Sequence, residues 1–270
     1  MKIEVLAEGL DFPEGPAFAP NGELWCVELK GGNLVRWNEH GLARFATGGA
    51  PNGLAFDRYG LAWFCDAQQC AIRTFDPATR QFKTVVDALD GQPLYKPNDL
   101  AFDARGNLLF TCPGDSRHAP TGYVCCLSAS GELTKIADGL YFPNGLALID
   151  DGLGLVVAET CQQRLWKGHW DAAARRWSEA RPYANVSNLP GPDGMALGAD
   201  GLMYVAVYRS GQIRAFGASG ELISAFDLPG MNPTNAAFDP AERLGLVVTE
   251  AEKGLLLSLP ELGPGTKLFA

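Results

Sequence analysis

The sequence predicts an all-β fold: a six-bladed β-propeller with four-stranded blades, in which the N-terminal strand closes the last blade. Three observations carry the prediction. A unit of 38 to 49 residues recurs six times. Each copy reads as a hairpin of two short apolar runs around an Asp- and Gly-rich turn, and the first residues match an outer strand whose own blade begins at the far end of the chain.

The six copies read FPEGPAFAPNGELWCVEL from Phe12, APNGLAFDRYGLAWFCDA from Ala50, KPNDLAFDARGNLLFTCP from Lys96, FPNGLALIDDGLGLVVAE from Phe142, GPDGMALGADGLMYVAVY from Gly191 and NPTNAAFDPAERLGLVVTE from Asn232. Aligned on their prolines, Pro13, Pro51, Pro97, Pro143, Pro192 and Pro233, they are spaced by 38, 46, 46, 49 and 41 residues. Each has a polar residue after the proline, an apolar run, the turn, and a second run dense in β-formers.

Gly32–Asn38, Ala71–Asp76, Gly122–Ser128 and Gly211–Gly217 supply third strands, and Phe82–Leu89 and Leu133–Leu140 fourth strands. The opening KIEVLAEGLDFPEG matches LTKIADGLYFPNG, so the first strand is expected to join the blade that begins near Asn232, which removes the open edges of a sheet. Only Asp171–Trp177 has a mildly helical pattern. Residues 1–270 are expected to form one domain, a usual length for a propeller.

Lys and Arg number 22 against 31 Asp and Glu, a net charge of −9 with the acidic residues scattered. Phosphate binding needs clustered basic residues, so a nucleic-acid partner is not expected. No apolar stretch approaches the ~20 residues of a membrane span, and MKIEVLAEGL lacks a secretory pattern, so no membrane partner and a cytoplasmic location are expected. The seven cysteines include no CxxC, and Cys26, Cys65 and Cys112 lie in apolar runs as reduced thiols would. A monomer or weak homo-oligomer is the expected state.

The first strand of each blade lines the central channel of a propeller, so the residues after the prolines converge: Glu14, Asn52, Asn98, Asn144, Asp193 and Thr234. All six bear oxygen. Such residues also cap strands and bond turns, a reading that stays open above all for Asn52 and Thr234. Two carboxylates near one axis repel unless protonated or bridged by a cation. Oxygen-only donors suit a hard divalent ion, Ca2+ first, with Mg2+, Mn2+ and, less in keeping with a set lacking His and Cys, Zn2+ as alternatives. His40, His118 and His169 fall outside the ring positions. The second runs end on the same face with Glu28, Asp66, Glu159 and Glu250, read either as orienting the ring or, with more weight, as bonding local backbone.

The Phe-Pro-Glu-Gly-Pro at Phe12–Pro16, the Pro-Asn-Asp at Pro97–Asp99, the Phe-Pro-Asn-Gly-Leu-Ala at Phe142–Ala147 and the Pro-Asp-Gly-Met at Pro192–Met195 occur in that order. On these motifs, essentially the whole chain resembles the senescence marker protein/gluconolactonase family, which includes regucalcin and bacterial sugar lactonases. The resemblance implies a six-bladed propeller that binds one divalent cation through Glu14, Asn144 and Asp193. Asn98 matches a residue that contacts substrate or metal in relatives, and the more distantly similar calcium-dependent paraoxonases also place a ligand there. Sugar lactonases of the regucalcin type carry Arg two residues before that Asn, where this chain has Lys96. The Glu they use further along the blade is replaced near Asp115 and Ser116. Asn98, Lys96 and Ser116 are therefore the expected substrate contacts, with the sugar left open.

The resemblance implies hydrolysis of a cyclic ester, a sugar lactone, by metal-activated water attacking the carbonyl. Asp193 is the first choice to take the proton and Asp99 the second. No Gly-x-Ser-x-Gly elbow suggests a serine nucleophile. The loop Gly114–Thr121 is placed to cover part of the mouth, and its Arg117 reads either as a contact for an anionic or hydroxyl-rich substrate or, with more weight, as a solvated surface residue. Two other functions stay in view: a binding module braced by a structural calcium ion, and a promiscuous esterase or phosphotriesterase.

Overall fold

The computed structural model describes residues 1–186 and 191–266. Over them the chain forms six four-stranded antiparallel sheets arranged as a β-propeller, each with its strands ordered from the axis outward. Blade 1 comprises Pro13–Phe18, Leu24–Glu28, Asn33–Asn38 and Gly41–Ala46. Blade 2 comprises Pro51–Phe56, Ala62–Asp66, Ala71–Asp76 and Gln81–Val86. Leu100–Phe102, Leu108–Cys112, Gly122–Leu127 and Leu133–Leu140 make blade 3. Pro143–Ile149, Gly154–Glu159, Arg164–Asp171 and Arg176–Asn185 make blade 4. Gly191–Leu197, Met203–Tyr208, Gln212–Phe216 and Leu222–Asp227 make blade 5.

Blade 6 takes Pro233–Phe238, Leu246–Glu250 and Leu255–Leu259 from the end of the chain and Glu4–Ala7 from its start. Glu4 pairs with Ser258 and Val5 with Leu257, as the matching opening segment predicted. The Trp37 indole donates to the Leu6 carbonyl at 2.8 Å, so blade 1 also grips the closing strand.

The inner hairpins turn where Asp and Gly require it. Asp57 accepts the N–H groups of Tyr59 and Leu61 at 2.9 and 3.1 Å, and Gly60 supplies the positive φ of 83°. The second strands are buried on both faces, so alternate residues feed two different interfaces. Trp25 and Val27 pack toward blade 2, and Leu24 and Cys26 toward blade 6. Six apolar clusters result, one at each blade-to-blade interface. All seven cysteines are free.

Two local expectations shift. The fourth strand of blade 2 ends at Val86, and Ala88–Leu89 instead pairs with Gln92–Pro93. The Leu94 N–H closes that excursion on the Asp87 carbonyl at 2.8 Å, which seats Leu94 between blades 2 and 3. The mildly helical Asp171–Trp177 is a hairpin turn, in which Asp171 accepts from Ala173 and Ala174, both at 2.9 Å, and imitates the start of a helix. No helix among the described residues is long and apolar enough to cross a membrane.

Deleting residues 1–7 would expose the Leu255–Leu259 edge. The expected loss is about 3 kcal/mol of hydrogen bonding, read as a fall in Tm of roughly 6–12 °C with association at higher concentration. An unchanged Tm would show that strand closure contributes nothing.

Candidate functional site

The inner strands start at the proline in blades 1, 2, 4 and 6, at Gly191 in blade 5 and at Leu100 in blade 3, and regular pairing lapses close to each proline. In blades 1, 2, 4 and 5 the register slips between Glu14 and Ala17, Pro51 and Leu54, Pro143 and Leu146, and Pro192 and Met195. In blade 3 the Asn98 N–H donates to the Thr111 carbonyl at 2.9 Å while the Thr111 N–H donates to the Asp99 carbonyl at 3.0 Å, so two residues oppose one. Such bulges re-aim a side chain out of the sheet.

The bulges bring Glu14, Asn144 and Asp193 together, all buried. Asp193 accepts from the Asn144 side chain and from the Gly194 N–H. Burial pushes the Glu14 carboxyl well above the ordinary range, and the charges of Asp193 and Asp99 raise it further. Asp193 is likewise raised by burial and then by Asp99. Asp99 is raised to about 6 by burial, against the hydrogen bonds from Leu100 N–H, the Asn235 side chain and Leu146 N–H. Three carboxyls thus share one desolvated space. Asn98, half-buried, directly precedes Asp99 in blade 3.

The next position along each bulge explains the geometry. It is Gly15, Gly53, Gly145 and Gly194 in four blades. A Cβ on Gly53 would lie 2.5 Å from Asp99 Oδ1, and one on Gly194 would collide with the Asn235 side chain. Side chains therefore fit only from blades 3 and 6, as Asp99 and Asn235. Their tips meet across the axis, Asn235 Nδ2 donating to Asp99 Oδ2 at 3.5 Å.

A second feature separates the ring positions. The residue before the proline has positive φ in blades 1, 3, 4 and 5: Phe12 at 60°, Lys96 at 51°, Phe142 at 58° and Gly191 at 127°. Ala50 and Asn232 lack it. A left-handed non-Gly residue costs about 1–2 kcal/mol, more so before proline, and such strain gathers at functional sites. The four blades with this left-handed approach, strained at Phe12, Lys96 and Phe142 and free of that cost at Gly191, carry Glu14, Asn98, Asn144 and Asp193. Thr234, in an unstrained blade, spends its hydroxyl on the Pro13 carbonyl at 2.7 Å and on Thr249.

Glu28, Asp66, Glu159 and Glu250 do not point at the ring. They accept the N–H groups of Asp11, Ala50, Tyr141 and Asn232 at 3.3, 3.0, 2.7 and 2.9 Å, and so fix the segment leading into each proline. Arg44, Arg73 and Arg164 hold the first three in turn. The sequence reading missed the threonines. Thr111 Oγ1 donates to the Asn144 carbonyl at 2.8 Å, and Thr160 Oγ1 to the Pro192 carbonyl at 2.7 Å, each tying one blade to the ring backbone of the next. A lone Thr in a β-rich run carries no sequence signal of that role.

At the mouth, Lys96 is exposed and its ammonium bonds both oxygens of Asp115 at 3.0 and 3.2 Å. Ser116 is fully buried; its hydroxyl donates to the Pro113 carbonyl at 2.6 Å and accepts from the Phe142 N–H at 2.9 Å. It therefore anchors the loop Gly114–Thr121 to blade 4, and its hydroxyl is spent on backbone. Two surface clefts of about 200 and 190 Å3 lie elsewhere, and neither includes a ring residue.

Among the described residues, no group of three or more His, Cys, Asp or Glu side chains is arranged to hold a metal. The donors available at the ring are instead two carboxylates and amide oxygens. That set fits a hard divalent cation, which would offset the repulsion between Glu14 and Asp193.

The family model described as SMP-30/Gluconolactonase/LRE-like region matches residues 12–252. A gluconolactonase of Zymomonas mobilis is 28% identical over 270 residues, covering 87% of this chain and 75% of that protein. The diisopropyl-fluorophosphatase of Loligo vulgaris is 25% identical, covering 92% of this chain and 88% of that protein. Among solved structures, a calcium-binding regucalcin of Agrobacterium tumefaciens superposes with a TM-score of 0.85 at 21% identity, covering 98% of this chain and 96% of that one.

Replacing Thr111 by Val should leave the Asn144 carbonyl without its donor and cost about 1–3 kcal/mol in denaturant unfolding. The same change at exposed Thr79 should cost far less. Equal costs would mean that the blade-to-blade hydroxyl bond is dispensable.

Proposed function

Because the chain belongs to the SMP-30/Gluconolactonase/LRE-like family, we propose that it hydrolyses a sugar lactone with the aid of one divalent cation held by Glu14, Asn98, Asn144 and Asp193. The observation that supports the reading is the convergence of two buried, mutually repelling carboxylates, Glu14 and Asp193, with the Asn144 amide that bonds Asp193. Calcium is the first choice, from the all-oxygen donors and the calcium-binding regucalcin of the same fold.

When bound, the cation supplies a positive charge that stabilises the oxyanion developing on the lactone carbonyl and makes an attacking water more acidic. The chain's own residues do the rest. Asn144 donates to Asp193 and keeps that carboxylate turned to the ring. Asp193 accepts the proton of the attacking water. Asp99 is the alternative acceptor, since a carboxylate wholly committed to a cation is a poor base and Asp99 titrates at about 6. The Asp99–Asn235 contact bars the axis below the ring, and Phe12, Phe142 and Tyr208 are half-buried about its approach.

A second reading, hydrolysis of phosphorus esters at the same ring, is favoured by the similarity to a fluorophosphatase across 92% of the chain. Assays with an organophosphate triester beside aldonolactones separate the two.

Chelator-stripped protein should lose aldonolactone hydrolysis and regain it with Ca2+ or another divalent ion; full activity after verified metal removal would rule the cation out. Asp193→Ala should lower kcat by about 10²–10⁴-fold with the β-type circular dichroism unchanged. A near-normal rate in that variant would shift the proton-accepting role to Asp99.

A further inference from the structure

The rim of the channel carries charge that the hydrolytic ring does not use. Phe12 of blade 1 and Tyr208 of blade 5 approach to 6.5 Å between ring centroids, reaching across blade 6. Arg209 stands 6.0 Å over the Tyr208 ring, Arg117 lies 4.6 Å over Phe142, and Lys30 lies 4.9 Å over Phe12. Phe12 and Phe142 are the left-handed residues that lead into the ring prolines. Among the described residues, neither Arg117 nor Arg209 has a carboxylate partner, although the chain carries a net charge of −9. Lys96 differs, since Asp115 neutralises it.

Thr160 links the two aromatic residues beneath the arginines: its N–H donates to the Phe142 carbonyl at 3.1 Å and its hydroxyl to the Pro192 carbonyl at 2.7 Å, in the strand whose Gly191 pairs with Tyr208. The Tyr208 phenol is raised first by burial and by the Asp193 charge, and Arg209 and Arg117 oppose that rise while Glu14 adds to it. Arg117 on Phe142 and Arg209 on Tyr208 thus sit on adjoining blades of one rim. A guanidinium held over an aromatic ring still has N–H groups to offer a bidentate oxyanion.

We propose that Arg117 and Arg209 form an anion subsite at the rim, which selects lactones bearing a carboxylate or phosphate remote from the ring ester. The proposal rests on the lactonase reading and names its substrate class. The acidic channel repels an anion at long range, and two unpaired cations at its edge reverse that field locally. They hold the remote charge at the rim while the ester reaches the ring. Ser116 supports the subsite, because its bond to the Phe142 N–H ties the Arg117 loop to the residue on which Arg117 rests.

The test compares glucono-lactone, which is neutral, with a glucaric acid monolactone and 6-phosphogluconolactone, in wild type, Arg117→Met and Arg209→Met. Methionine keeps an apolar stem on the aromatic ring without the charge. Wild type should favour an anionic lactone in kcat/KM, and each variant should reduce the anionic-to-neutral ratio about ten-fold, chiefly through KM. The carboxylate and phosphate substrates tell which oxyanion the rim takes. An unchanged ratio in both variants overturns the subsite while leaving the lactonase reading intact. If no lactone is hydrolysed, that reading fails, and calorimetry with glucarate and 6-phosphogluconate decides the subsite separately. Binding that weakens in both variants upholds it, and binding indifferent to them overturns it.

Discussion

Six inner strands meeting at one axis leave almost no room there, and that crowding governs the molecule's centre. Where a Cβ on Gly53 would touch Asp99 and one on Gly194 would strike Asn235, side chains can extend from two opposed blades only. The same convergence forces Glu14 and Asp193 into one buried space, where their charges raise each other's cost of ionisation. The tightness of the propeller thus sets the electrostatics of its ring.

The left-handed turns at Phe12, Lys96 and Phe142 strain the backbone, and the structure holds that strain with polar bonds. Each left-handed residue before a proline costs about 1–2 kcal/mol, whereas a hydrogen bond from a buried N–H to a carboxylate contributes about 1.5–3 kcal/mol. One such bond per strained blade is therefore sufficient. Glu28 supplies it to Asp11 ahead of Phe12, and Glu159 to Tyr141 ahead of Phe142. Blade 3 lacks a carboxylate at that position; the Tyr123 hydroxyl accepts the Tyr95 N–H at 3.0 Å instead. The outer arginines Arg44 and Arg164 pair with these carboxylates, and side-chain hydrogen bonds from Arg44 and Asn33 hold Glu28 below its ordinary range against the rise that burial alone would cause.

Legibility followed periodicity. The six prolines and the polar residue after each marked the ring because a repeated motif places equivalent residues on one axis, and Glu14 and Asp193 stood out as the departures from Asn. The matching opening segment disclosed the closing strand in the same way. Ser116 shows where such reasoning stops: its position in the blade 3 loop suggested a substrate contact, yet its hydroxyl lies buried between Pro113 and Phe142. The hydroxyls of Thr111 and Thr160, and the cation pairs over Phe142 and Tyr208, join residues from different blades and leave no trace along the chain.

By itself the sequence determined the all-β propeller, the number of its blades and the strand that closes it, and it pointed to the residues after the prolines as candidates for the ring. Each of these is a periodic property, and periodicity is local. Only the tertiary structure decided which four of those positions follow a left-handed residue and proline, that Asp99 and Asn235 meet across the channel, and that Glu28, Asp66, Glu159 and Glu250 bind backbone rather than the ring. Those outcomes depend on distances between separate blades, which crowding at the axis sets and no linear pattern encodes.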